Sequence, residues 1–196
     1  MATISLLPGW GLGLSALQPL AHALSARHEV QLLPLPECTT LEQALDELDA
    51  QIPAGNWLAG WSLGGMLATA LASRRGASCR GLITLGSNAR FVAAEDWPHA
   101  MPPAVFKAFA RSVSRDWHTA RAGFAQLCVQ GERGEHTDAV LARLPAPEAA
   151  APMSSLSWLE QLDNRDAITH MRCRQLHLLA DSMHSFIEPA TGADHD

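Results

Sequence analysis

Between residues 2 and 85 the chain alternates short β-branched or apolar runs with stretches of helical periodicity, and this pattern restricts it to few architectures. Residues 2–7 read as a buried strand that stops at Pro8-Gly9. Leu17, Leu20, Ala21 and Leu24 then recur at helical spacing, with Ser15 as the expected N-cap, and residues 28–33 return to strand character before Pro34 and Pro36 break it. Thr39 and Glu42 have capping-box spacing. Behind them Leu41, Ala44, Leu45 and Leu48 form one apolar face of a helix that should run to about Gln51. A strand over 56–59, a small-residue helix over 63–73 and a strand over 80–85 complete the series. Strict alternation of this kind predicts an α/β fold with a mostly parallel sheet flanked by helices on both faces.

From about residue 91 to residue 169 the alternation stops. Pro98, Pro102, Pro103, Pro145, Pro147 and Pro152 punctuate segments whose apolar residues recur at three- and four-residue spacing, which predicts a helical insertion. Strand character resumes at 175–180, so the expected organisation is a core of residues 1–90 and 170–196 with residues 91–169 inserted as a helical lid. A chain of 196 residues with 47% hydrophobic content can bury one sizeable core. A net charge of -6 without a Lys/Arg cluster argues against a nucleic-acid partner, which needs a basic footprint. No apolar run approaches the ~20 residues of a membrane span, and the first residues lack the basic start of a signal peptide. The expected location is the cytoplasm. Cys38, Cys79, Cys128 and Cys173 show no close pairing and the nine histidines no metal-ligand spacing, so neither metal nor cofactor is expected.

The chemistry-bearing motif is Gly60-Trp61-Ser62-Leu63-Gly64, a G-x-S-x-G element followed by Gly65. It stands between an expected strand and an expected helix, the context of a nucleophile elbow. A serine on so tight a turn needs small neighbours two residues away on either side if the backbone is to fold sharply and the hydroxyl to project. Ser62 is therefore the candidate nucleophile, and the Leu63 amide, at the start of the helix, is a candidate oxyanion-hole donor. The second donor should come from the loop after the first strand, where Pro8-Gly9-Trp10-Gly11 makes the Trp10 amide the candidate. The context predicts an α/β-hydrolase fold.

Four segments together carry a narrower likeness: LLPGWGLG after the first strand, GWSLGGMLA at the elbow, LITLGSNARFVAAEDWP after a later strand, and the helical lid. The combination resembles the pimeloyl-acyl-carrier-protein methyl ester esterases of biotin synthesis. That resemblance implies hydrolysis of a methyl ester on a carrier-bound acyl chain, with an acyl-enzyme on Ser62. It implies a substrate channel lined by Trp10 and by Phe124, Ala125, Gln126, Leu127 and Cys128, and an acyl-carrier protein as partner, met by lid arginines. The arginines available are Arg111, Arg115, Arg121, Arg133 and Arg143, while His136 and Val140 stand where the resemblance calls for basic residues. It further implies an acid after one strand and a histidine after the next, and the matching residues are Asp181 and His184. Only three positions separate the two. A parallel crossover takes a dozen or more residues, so the C-terminal strand and helix expected between them have no room. Weak or absent esterase activity is the consequence. Two alternatives stay open: a general carboxylesterase or thioesterase on small esters, and a catalytically impaired hydrolase fold used as a binding protein.

Overall fold

The computed structural model describes residues 1–128 and 152–179, with the backbone alone for Leu127 and Cys128. Five parallel strands, β1 (Thr3–Leu7), β2 (Glu29–Leu32), β3 (Trp57–Trp61), β4 (Gly81–Leu85) and β5 (Arg174–Leu178), form one sheet in the order β2-β1-β3-β4-β5. Helices α1 (Gln18–Ser25), α2 (Leu41–Gln51) and α3 (Leu63–Arg75) connect the first four strands. Between β4 and β5 lie α4 (Pro103–Arg115), α5 (Trp117–Cys128), α6 (Met153–Gln161) and α7 (Arg165–His170).

The sheet is covered on both faces, and alternate side chains divide between them. Ile4, Leu6 and Ala59 join Leu17 in a small cluster on one side, while Leu7 and Leu58 enter a larger one with α2, α3 and the inserted helices. Helix α3 is apolar nearly all round, and nine of its residues from Leu63 to Ala72 are buried, because it is packed between the sheet and neighbouring helices. Helix α2 buries Ala44, Leu45 and Leu48, the face its periodicity predicts.

Two helix starts differ from expectation. The residues after Gly13 make a turn of 3-10 helix over Leu14–Leu17 before α1 begins, so Ser15 lies inside that turn, does not cap, and leaves a buried hydroxyl without a partner among the described residues. At α2 the cap is Thr40, whose hydroxyl accepts from the Gln43 amide at 3.2 Å. Thr39 instead donates its hydroxyl to the Gln43 side chain at 3.0 Å. Extended backbone at Thr40 (φ -118, ψ 152) selects it as the residue whose side chain can turn back onto the first helical amides. No helix among the described residues is long and apolar enough to cross a membrane.

Strand order determines where a site can form. The chain leaves β1 for β2 on one side and then crosses back to β3 on the other, so the loops after β1 and β3 diverge and open a crevice at the carboxyl ends of the strands. Leu7 is paired with Gly60 in the ladder, which brings Pro8-Gly9-Trp10 beside Trp61-Ser62-Leu63.

Candidate active site

Ser62 is the one non-glycine residue with positive φ among the described residues, at φ 51 and ψ -120. Such a backbone costs roughly 1–3 kcal/mol and persists only where its surroundings over-determine it. Here they do. The Ser62 amide donates to Leu85 O at 3.0 Å, tying the corner to the end of β4. Its carbonyl accepts from the amides of Gly65 and Met66 at 3.0 and 3.1 Å and from the Ser87 hydroxyl at 2.9 Å. The glycines supply the remaining freedom. A Cβ on Gly60 would run into the backbone of Gly64 and Gly65, one on Gly65 into the Ser87 side chain, and one on Gly64 would lie 2.5 Å from the carbonyl oxygens of Leu7 and Pro8. Ser62 itself is half-buried, so its hydroxyl stands at a strained corner still within reach of a ligand.

The loop after β1 closes the other side. A Cβ placed on Gly9 would be 3.5 Å from Ser62 Cβ, so the strand end carrying the Trp10 amide abuts the serine. Leu63 is the first residue of α3, and its N–H therefore has no partner inside the helix. Three groups from the segment between β4 and β5 grip this loop. Trp10 Nε1 donates to Pro152 O at 3.1 Å, and Arg121 Nε donates to Gly11 O at 2.7 Å. The Trp117 ring covers Gly11, whose φ of +67 and lack of a side chain let it sit there; a Cβ would come within 2.8 Å of that ring.

The Trp10 ring is 1% exposed and is enclosed by Phe109, Trp117 and Phe124 in edge-to-face contacts with centroids 5.6, 5.1 and 5.5 Å apart. Its indole thus belongs to the packing between loop and insertion and offers no open surface. Phe124 is half-buried on that cluster, Ala125 is buried and Gln126 is exposed, so the expected channel segment presents different faces along one helical turn. The side chains of Leu127 and Cys128 lie outside the described residues, as do Arg133, Arg143, His136, Val140, Asp181 and His184. Arg121 requires a correction. It is 8% exposed and bonded to Gly11 O, so it faces the loop and not a carrier protein. Arg111 and Arg115 on α4 are exposed. Among the described residues no group of His, Cys, Asp and Glu is arranged to hold a metal.

Beside the site, Asn164 ties the chain after α6 to α3: its amide donates to Ala89 O at 2.8 Å and its buried Nδ2 to Met66 O at 3.0 Å. Around it Arg90 and Arg165 converge on Asp163, each at 2.7 Å, and Arg165 also reaches Asp96 at 2.8 Å and stacks over Trp97. The Arg165 hydrogen bonds, reinforced by Arg90 against the cost of desolvation, hold the Asp163 carboxyl well below the usual carboxylate range. Ser87, Asn164 and the Arg121 link belong to no motif in the sequence. Only Gly65, the third glycine of the elbow, signals any of them, since its bare Cα makes room for Ser87.

A serine hydroxyl at a strained corner, flanked by backbone amides at a helix start, is suited to add to an acyl carbonyl and to stabilise the resulting oxyanion. Residues 24–182 match the family described as having the alpha/beta hydrolase fold. The chain is 36% identical over 186 residues to the biotin biosynthesis bifunctional protein BioHC of Cellvibrio japonicus, covering 90% of this chain and 37% of that much longer one. To the pimeloyl-acyl-carrier-protein methyl ester esterase of Sodalis glossinidius it is 31% identical, covering 88% of this chain and 72% of the relative. Among solved structures, an esterase from Exiguobacterium antarcticum superposes with a TM-score of 0.71 at 14% identity over 90% of this chain and 72% of that one. A hydrolase from Oleispira antarctica gives the same TM-score at 12% identity, over 95% and 78%. These two likenesses bear on the fold alone.

Proposed function

Because the chain belongs to the α/β-hydrolase family, among the pimeloyl-acyl-carrier-protein methyl ester esterases, we propose that it is a serine carboxylesterase hydrolysing the methyl ester of a carrier-bound pimeloyl chain in biotin biosynthesis. In this reading Ser62 Oγ adds to the ester carbonyl, and the amides of Trp10 and Leu63 take up the charge on its oxygen. Methanol leaves with a proton, and water then releases the acid from the acyl-enzyme through a second tetrahedral intermediate in the same hole. Proton transfer falls by sequence to His184, with Asp181 as the orienting acid. Their three-residue separation argues for poor orientation and a slow enzyme, since a misplaced acid leaves the serine and oxyanion hole to supply the remaining rate.

The observation that carries the proposal is the left-handed backbone of Ser62, held by four hydrogen bonds and three close-packed glycines. Strain of this kind at one polar residue is what an elbow nucleophile needs and what an ordinary turn would avoid. A fluorophosphonate probe should label Ser62 in the wild-type protein and fail on Ser62→Ala, which should keep its unfolding midpoint because only one hydroxyl of a half-buried residue is lost. The same pair assayed on a carrier-linked and a free methyl ester should show turnover only with Ser62 present and a higher kcat/KM for the carrier-linked one. Equal rates on both would favour a general esterase. A second reading, a hydrolase-fold binding protein, draws on the Asp181–His184 spacing; carrier binding without any probe labelling would select it.

A further inference from the structure

The oxyanion-side loop is held from outside the sheet, by side chains more than a hundred residues away in sequence. Arg121 is a cation with 8% exposure on a helix of the insertion, and its Nε–H meets the carbonyl of Gly11, one residue beyond Trp10. Burying a guanidinium is unfavourable unless it is hydrogen-bonded, so its placement here gives the loop a strong, directional anchor. Gly11 lies in the left-handed region at φ +67, a conformation with little intrinsic preference of its own, so its carbonyl needs an external group to fix its direction. The Trp117 ring over Gly11 and the Trp10 Nε1 bond to Pro152 restrain the same loop on two further sides.

We infer that Arg121 is a positioning residue: through Gly11 O it fixes the loop that presents the Trp10 amide to the oxyanion, coupling the seating of the inserted helices to the catalytic competence of Ser62. Arg121 touches neither substrate nor serine in this role. The inference rests on the esterase reading for its catalytic half, and on the Arg121–Gly11 hydrogen bond and the packing of the loop for its structural half.

The experiment compares wild type, Arg121→Met and Arg121→Lys by amide hydrogen exchange over residues 9–13 and by steady-state hydrolysis of p-nitrophenyl acetate. In Arg121→Met the loop amides should exchange faster while β1 and β3 keep their protection. Its kcat should fall by about ten- to a hundredfold with KM nearly unchanged, a part of the loss seen when an oxyanion donor is removed outright. Arg121→Lys keeps a cationic donor and should recover part of both. Wild-type loop exchange with wild-type kcat in Arg121→Met overturns the inference, as does a rise in KM at constant kcat, which would mark a substrate contact. If Arg121→Met does not fold, Arg121→Lys decides alone: smaller changes of the same sign support the inference, and none overturns it. A wild-type protein that hydrolyses no ester while its loop exchange still depends on Arg121 removes the esterase reading and leaves the anchor standing. An active enzyme indifferent to both substitutions does the reverse.

Discussion

Ser62 and Gly64 divide the work of the elbow at the scale of single residues. Ser62 adopts the strained backbone, and Gly64 allows α3 to press against the carbonyls of Leu7 and Pro8. A methyl group on Gly64 would meet backbone oxygens that cannot rotate away, so Gly64→Ala should cost about 2–3 kcal/mol, an overpacking effect read from the urea midpoint. The loop should move with it, and probe labelling of Ser62 should slow. Phe124 is a half-buried member of the aromatic cluster around Trp10, and in the proposed function it lines the acyl path. Phe124→Ala should then raise KM for a long-chain p-nitrophenyl ester more than for the acetyl ester, whereas equal effects on both would assign it to packing alone.

At the scale of elements, what matters is how the insertion is fastened to the sheet. Its return strand-like segment pairs Arg90 with Asp163 in an isolated antiparallel bridge, and the side chains of the same two residues close an ion pair. Asp163 is the hub, since Arg165 also binds it. Because its folded pKa lies below the ordinary value of 3.8, the unfolded chain binds the proton more readily than the native one in acid. The stabilisation is fully present above that ordinary value and is lost as the pH falls beneath it. Asp163→Asn should therefore show a shallower decline of the urea midpoint between about pH 4 and pH 2 than wild type, with a modest difference because the pair is partly exposed to solvent. Parallel declines in both proteins would mean that the network does not fasten the insertion.

For the whole molecule, the parallel sheet with helices on both faces and the elbow follow from patterns that a single sequence displays. Two-residue and three-to-four-residue periodicity along one chain decide which segments become strands and helices, and their alternation makes the sheet parallel, whereas the order β2-β1-β3-β4-β5 appears only in the structure. The glycines around Ser62 are legible because the G-x-S-x-G spacing stands in the chain, although the Leu7 and Pro8 carbonyls and the Ser87 side chain they make room for do not. Element ends are less so. Thr39 and Thr40 have the same side chain, and only the extended backbone at Thr40 decides which one caps α2. Arg121 is the sharper case. It sits on the stripe Trp117, Arg121, Phe124 and Ala125, at the spacing of one helix face, yet a charge on such a face reads by default as solvated. Its Nε–H meets the Gly11 carbonyl, on a glycine that also packs under the Trp117 ring. The sequence by itself thus determined the layered α/β architecture and the serine corner, since periodicity and the spacing of small residues around Ser62 display both along the chain. The tertiary structure alone decided what holds the facing loop, because a hydrogen bond across 110 residues leaves no periodic trace in the chain.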